Sequence, residues 1–250
     1  MAKKIRKSSP ALVVEFLGLP GAGKTSIQSL LEKKLAGYPL DMLCKETLTA
    51  WIHQKAKYKL PYFLFKNTGW SVRLFVMLWK LRGWGRIFDR ITWRYILSSI
   101  TIPLYIKYFV EEHRPDVLLL DQAMAQSIWA IWYGHEKPDA QTLRLIFEHI
   151  YTLVQVSYIY FDVPVEVSAR RVMQREENHS RFDHIQDYER LKNMISRGDA
   201  LMIKIRDVLK YMGYDVVEVS SEQHYEQISE FLYNRIIEMK SRTTEVHQIK

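Results

Sequence analysis

Residues 18 to 25 of the chain read Gly-Leu-Pro-Gly-Ala-Gly-Lys-Thr, and this stretch decides the fold. It matches the phosphate-binding pattern G-x-x-x-x-G-K-[ST] at every required position. Its glycines allow a backbone path in which successive N–H groups point at a phosphate, a path that a Cβ would hinder. In this pattern Lys24 reaches the β- and γ-phosphates, and the Thr25 hydroxyl holds Mg²⁺. The residues predicted to bind nucleotide are Gly18, Leu19, Pro20, Gly21, Ala22, Gly23, Lys24, Thr25 and Ser26.

The flanks of this loop have the pattern that the motif requires. Residues 11–17 form a short apolar run typical of a buried strand, and residues 26–35 place Ile27, Leu31 and Leu35 at helical spacing. A strand, a glycine loop and a helix in this order form an anion site, because the helix N-terminus adds the positive end of its dipole.

Four more strand-like runs follow, at residues 40–45, 116–121, 156–162 and 215–219. Helical segments separate them, and strands that alternate with helices form parallel sheets. The sequence therefore predicts an α/β fold, the three-layer P-loop NTPase sandwich. In this fold a parallel five-stranded sheet has helices on both faces, and here a helical insertion separates strands 2 and 3. We expect one P-loop kinase-like domain over residues 1–250.

Composition is that of an ordinary globular protein, with 48% hydrophobic and 26% charged residues. The single cysteine, Cys44, permits no intramolecular disulfide, which favours a reducing compartment and a cytoplasmic location. The basic N-terminus superficially resembles a signal peptide, but the apolar run behind it contains Glu15 and leads into the phosphate loop.

Positive charge is concentrated in residues 51–94, which hold ten Lys or Arg against one acid, Asp89. The same segment contains five of the seven tryptophans. We expect helices over about residues 47–112, interrupted at Pro61, Gly69, residues 83–85 and Pro103. Residues 61–113 are predicted to form a helical insertion on the acceptor side. A basic amphipathic face resting on an anionic membrane is the alternative, and nucleic-acid binding is less favoured.

Phosphoryl transfer also needs a metal ligand, a base and cations over the moving group. Asp121 ends an aliphatic strand, so it could bind Mg²⁺ together with Thr25, or it could cap the helix that follows. Glu46 ends the second strand and could act as base or be a solvated surface residue. Arg171, Arg175 and Arg181 are candidate catalytic cations, with a predicted lid at residues 176–182, although a solvated helix end is also possible.

Two further stretches resemble the thymidylate kinase and deoxynucleoside kinase branch of the P-loop kinases. Residues 46–51, Glu-Thr-Leu-Thr-Ala-Trp, are similar to the E-P-V-x-x-W stretch of deoxynucleoside kinases. Residues 160–166, Tyr-Phe-Asp-Val-Pro-Val-Glu, with the arginines that follow, resemble the strand and lid of thymidylate kinases. The resemblance implies that Glu46 is the general base, that Trp51 lines the nucleoside pocket and that residues 176–182 form the lid.

One position departs from this branch. These kinases carry an arginine after the third strand, whereas this chain has Gln122, which cannot grip a phosphate with a charged fork. Thymidine monophosphate is therefore a doubtful acceptor, although Gln122 stays a candidate substrate contact.

The resulting expectation is an ATP- and Mg²⁺-dependent phosphotransferase. Its acceptor would be a nucleoside, a nucleotide, or a sugar or lipid-linked precursor. The alternative is a regulatory or membrane-surface protein that uses the loop as a nucleotide switch. Peripheral contact with an anionic membrane and a homodimer are both left open, and a nucleic-acid partner is not expected.

Overall fold

The computed structural model of this chain describes residues 10–38, 40–82, 90–133, 139–175, 182, 184–221 and 223–248, without the side chains of 80–82, 90–91 and 243–248. Five strands form one sheet in the order β2-β3-β1-β4-β5, and every neighbouring pair is parallel. The strands are β1 (Leu12–Gly18), β2 (Met42–Cys44), β3 (Val117–Leu120), β4 (Ser157–Asp162) and β5 (Val216–Ser220). All five strand predictions are confirmed, with ends that shift by one or two residues.

The central strands are hidden because they carry aliphatic and aromatic side chains on both faces. Every residue of β1 and of β3 is buried. In the parallel register Leu12 lies beside Val117, and Gly18 lies beside Phe161 of β4. Since the strands are parallel, their carboxyl ends meet at one edge of the sheet, where the phosphate loop leaves β1.

Helices cover both faces of this sheet, so the predicted three-layer fold is confirmed. Helix α1 (Lys24–Leu35) packs with α10 (Tyr225–Gln248) against β1, and α6 (Met124–Trp132) packs with α9 (Tyr188–Tyr211) against the same strand. Two further helices complete this part, α7 (Ala140–Tyr151) and α8 (Val165–Met173).

The predicted helical insertion between strands 2 and 3 is also present. It consists of α2 (Lys45–Trp51), a π-helical turn (Ile52–Ala56), α3 (Lys57–Lys66), α4 (Thr68–Arg82) and α5 (Arg90–His113). Within the described part of the chain, none of the helices combines the length and apolar composition needed to cross a bilayer.

The expected interruptions at Pro61 and Pro103 are wrong, because α3 and α5 run through them. Pro61 has no N–H group to donate to the carbonyl oxygen of Lys57. Both residues are exposed, so water can bond to that oxygen instead. Helix α5 packs on α6, and this packing outweighs the local preference of one proline. The expected break near Gly69 is confirmed, since only Asn67 separates α3 from α4. The break expected at residues 83–85 lies outside the described residues.

Candidate active site

The phosphate loop joins the buried end of β1 to the start of α1. Gly21 and Gly23 adopt φ values of 79° and 84°, which side chains with a Cβ disfavour. A Cβ on Gly23 would also lie 2.9 Å from the hydroxyl oxygen of Tyr225 on α10. The glycines therefore make the loop conformation possible, and the contact with Tyr225 of α10 leaves no room for a side chain at position 23.

Lys24 is the first residue of α1, and its side chain folds back along the loop. The Nζ atom donates hydrogen bonds to the carbonyl oxygens of Gly18 and Leu19, each at 2.8 Å. Burial, opposed by the carboxylate of Asp121 and assisted by nearby Arg175, lowers the pKa of Lys24 to about 7. These interactions link three of the predicted site residues electrostatically.

Asp121 follows the last residue of β3 and lies at the carboxyl edge of the sheet. Lys45, the first residue of α2 after neighbouring β2, places its Nζ 2.5 Å from Asp121 Oδ1. Thr25 and Asp121 both line the cleft above the loop. A hydroxyl and a carboxylate are the hard oxygen ligands that Mg²⁺ prefers, so these residues fit the predicted metal site.

A second carboxylate, Glu15, holds the opposite wall of the site and was missed as a candidate. Its side chain leaves β1 beside Leu120 and reaches the start of α6, whose first residue is Met124. There the two carboxylate oxygens accept the backbone N–H groups of residues 123, 124, 125 and 126 at 3.0, 3.1, 3.2 and 3.2 Å. Burial raises the pKa of Glu15 to about 7, although these four N–H groups pull the pKa down.

Glu15 therefore supplies from another element the cap that α6 lacks in its own sequence. The N-cap residue Ala123 has no side chain that could do so, and Asp121 is not the cap. A carboxylate in the middle of an otherwise apolar strand was the sequence signal for this role, because a buried charge needs partners.

One cleft of about 1010 Å³ extends from the phosphate loop toward the helical insertion. Its loop side is formed by residues 20 to 26, so most of the residues predicted to bind nucleotide line it. Its other wall carries residues 122, 126, 129 and 130 and a face of α5, with Arg94, Tyr95, Ser98 and Ile102. Gln122 lines the cleft as the sequence led us to expect, whereas no motif pointed to Arg94.

Glu46 and Trp51 have other surroundings. Glu46 is exposed in the first turn of α2. One of its carboxylate oxygens lies within 4.8 Å of a carboxylate oxygen of Glu32 and of the Cys44 Sγ atom. Trp51 is buried and packs against Phe63 and Phe109 within the insertion. Neither is among the described residues that line the cleft, so their assigned roles as base and pocket wall stay predictions.

The three candidate arginines differ in their positions relative to the cleft. Arg175, just after α8, lines the cleft near Lys24. Arg171 donates to the carbonyl oxygens of Gly21 and Ser221 at 3.3 and 3.2 Å, which ties the loop to the end of β5. Arg181 and the predicted lid at residues 176–182, apart from buried Phe182, lie outside the described residues.

The fold and the loop together define a three-layer α/β protein with a phosphate-binding loop after its first strand. No protein-family model matches the sequence, and no curated protein matches it. Among solved structures, one that matches is the deoxyadenosine kinase from M. mycoides, with the products dCMP and a flexible dCDP bound. Its identity is 14%, the match covers 91% of this chain and 100% of that chain, and the TM-score is 0.50. The resemblance to the deoxynucleoside kinase branch is therefore confirmed at the level of the fold.

Proposed function

We propose that this protein is an ATP-dependent kinase that moves the γ-phosphoryl group to a small hydroxyl or phosphate acceptor. The observation that carries the proposal is the grouping of Lys24, Asp121 and Arg175 at one end of a cleft. The whole cleft, at about 1010 Å³, has room for a second small ligand beside the nucleotide. Phosphoryl transfer depends on such positioning and charge neutralisation more than on covalent chemistry.

In the proposed reaction an acceptor oxygen attacks the γ-phosphorus, and the bond from that phosphorus to the β-phosphate oxygen breaks. ADP leaves, and the acceptor proton passes to a base. Lys24 and the loop N–H groups bind the phosphates, and Arg175 stabilises the charge on the transferring group. Thr25 and Asp121 would hold Mg²⁺, which supplies further charge neutralisation when bound.

Glu46 is the proposed base, and it can act as one only if its side chain moves. Its carboxylate would have to turn from Cys44 toward the cleft when the acceptor binds. Among the described residues, Asp121 is the carboxylate that already lines the cleft. Assignment of the base to Glu46 can therefore be tested separately from the role of Asp121. With Glu46 as base, E46Q lowers kcat and leaves ATP binding unchanged, whereas E32Q, the matched control, keeps full activity.

The cleft as a whole carries an excess of positive charge, and Arg94 places a cation on its insertion side, so an anionic or polar acceptor suits that side. The described residues of the cleft include four cationic side chains, Lys24, Lys45, Arg94 and Arg175, against one carboxylate, Asp121. Deoxynucleosides and their monophosphates are the first acceptors to examine, given the matching deoxyadenosine kinase. Sugar phosphates and lipid-linked precursors come next. We place the reaction in the cytoplasm.

The test is transfer from γ-labelled ATP with Mg²⁺ to panels of nucleosides, nucleotides and sugars. We expect a labelled product with at least one acceptor and none with the K24M variant. ATP binding and slow hydrolysis without transfer to any acceptor would instead support a nucleotide-dependent regulatory protein, which is the second candidate. The excess of cationic residues at positions 51–94 favours that candidate, because a switch protein can use them to bind an anionic partner.

A further inference from the structure

Helix α3 presents three aromatic side chains to solvent in one row. Tyr58, Tyr62 and Phe65 are four and three residues apart, which places them on one face of the helix. Their exposed fractions are 74%, 58% and 83%, and Phe65 is the most exposed large hydrophobic residue among the described side chains. We call these three residues the aromatic stripe.

The opposite side of α3 fixes the direction in which the stripe points. Phe63 is 3% exposed and stacks on Tyr108 of α5 with ring centroids 4.0 Å apart. Leu60 and Leu64 pack against the same core. Because this face is committed to the interior, rotation of α3 cannot hide the aromatic stripe.

Lysines border the stripe on both sides, and α3 contains no acid. Lys57, Lys59 and Lys66 are all exposed. Lys57 and Lys66 form no ion pair with any described residue, and their Nζ atoms lie 4.9 and 5.7 Å from the ring centroids of Tyr58 and Tyr108.

Two carboxylates lie at one border of the stripe. Glu111 and Glu112 share a groove with Lys59 and Tyr62, and Lys55 lies 3.5 Å from Glu112. Lys55 and Lys59 offset these two acids, so the face as a whole keeps the positive charge of Lys57 and Lys66.

We propose that the aromatic stripe and its lysines dock this protein on the surface of an anionic lipid bilayer. Exposed aromatic rings are stable at the level of lipid headgroups, where the ring is apolar and its edge stays wet. Lysines beside them interact with lipid phosphates and anionic headgroups, and charge complementarity selects this partner over a neutral surface. This docking goes beyond the phosphotransferase function and does not depend on it.

The experiment is co-sedimentation of the full-length protein with vesicles, either of phosphatidylcholine alone or with about 30% phosphatidylserine. We expect binding to the anionic vesicles that weakens as salt is raised. K57Q/K59Q/K66Q should weaken this binding about a hundredfold, at about fivefold per lysine. Y58S/Y62S/F65S should weaken it about tenfold or more.

Matched controls separate this face from other basic or aromatic regions. Y211S removes an aromatic ring that is 79% exposed on α9 and should leave vesicle binding unchanged. K3Q/K4Q/R6Q/K7Q tests the basic N-terminal residues and should retain most of the binding. Circular dichroism of each variant confirms that the helices remain folded.

Three outcomes would overturn the proposal. The first is a wild-type protein that does not bind anionic vesicles, and the second is binding that the α3 variants retain while the N-terminal variant loses it. The third is loss of a dimer in Y58S/Y62S/F65S without any vesicle binding, which would make the stripe a protein interface. Kinase activity is measured separately with soluble acceptors, so failure of the docking leaves the proposed reaction untouched.

Discussion

The phosphate loop and the helical insertion form two sides of one cleft, but their residues are held in place by different means. In the loop, backbone torsions at Gly21 and Gly23 set the direction of each N–H group. In the insertion, Arg94 and Tyr95 lie on the cleft only because α5 packs along α6. Local sequence therefore specifies the nucleotide side, whereas tertiary contacts specify the acceptor side.

The sharpest test of the loop side is K24M, which removes the ammonium group but keeps the length of the side chain. We expect nucleotide affinity and transfer to fall by at least about a hundredfold, because a charged hydrogen-bond donor to phosphate is lost. Thermodynamic stability should be unchanged or higher, since burial disfavours the charged form of Lys24. ATP titration and urea unfolding measure the two effects.

K33M is the matched control for this variant, because Lys33 is an exposed lysine on the same helix. It should leave both affinity and stability at the wild-type level. If K24M kept the full rate of phosphoryl transfer, the proposed role of Lys24 in the reaction would be wrong.

The part of the cleft wall formed by the start of α6 is tested by E15Q. A glutamine keeps one acceptor oxygen and turns an NH₂ group toward N–H donors, so part of the cap on α6 is lost. We expect unfolding to be easier by about 2–3 kcal/mol in urea titrations. E218Q, which removes an exposed carboxylate from β5, should cost much less.

The same variant predicts a change in pH dependence. In the folded protein the pKa of Glu15 is raised from 4.5 to about 7, so between these values the folded state binds more protons than the unfolded state. This group therefore stabilises the fold fully at low pH and loses that contribution as the pH rises through about 7. E15Q should lack this loss, and equal slopes in the two proteins would contradict the assignment.

On the insertion side, R94A should raise the KM of the acceptor about tenfold and leave the KM of ATP unchanged. Arg94 has no side-chain hydrogen bond or ion pair with the described residues, so its removal should cost little stability. R190A, an exposed arginine on α9, is the control. A rise in the KM of ATP instead would assign Arg94 to the nucleotide.

The smallest expected effect is a pH dependence of nucleotide binding. Because the pKa of Lys24 is about 7 in the free protein, the ammonium that phosphate prefers is increasingly absent at higher pH. ATP binding should therefore take up a proton, and affinity should fall about fivefold between about pH 7 and about pH 8. Calorimetry in buffers of different ionisation enthalpy measures the uptake, which K24M should abolish.

The comparison also explains which features were predictable. The five strands could be predicted because aliphatic runs such as 116–121 need burial on both faces of a parallel sheet. The loop could be predicted because its residues act through backbone conformation, which depends on near neighbours. The continuity of α3 and α5 through Pro61 and Pro103 could not, because solvent access and packing on α6 decide it.

Site residues that act across the fold were harder to predict. Glu15 meets α6 more than a hundred positions later in the chain, with Ala123 at a separation of 108. Lys45 was not a candidate site residue, yet it pairs with Asp121. Glu46 was chosen from its place after the second strand and from the resemblance, and Trp51 from the resemblance alone. The described contacts place Trp51 in the core of the insertion.

The cap that Glu15 places on α6 also determines how polar the cleft is along its length. The first-turn N–H groups of α6 are already bonded, so a phosphate that approached this helix would meet used donors and a carboxyl group. At the start of α1 the N-cap residue is Gly23, which has no side chain to bond the first-turn N–H groups, so these donors suit the proposed nucleotide. The cleft thus has a built-in direction, since a phosphate chain is attracted to one helix start and turned away from the other. A ligand with phosphates at one end can then be seated in one orientation only.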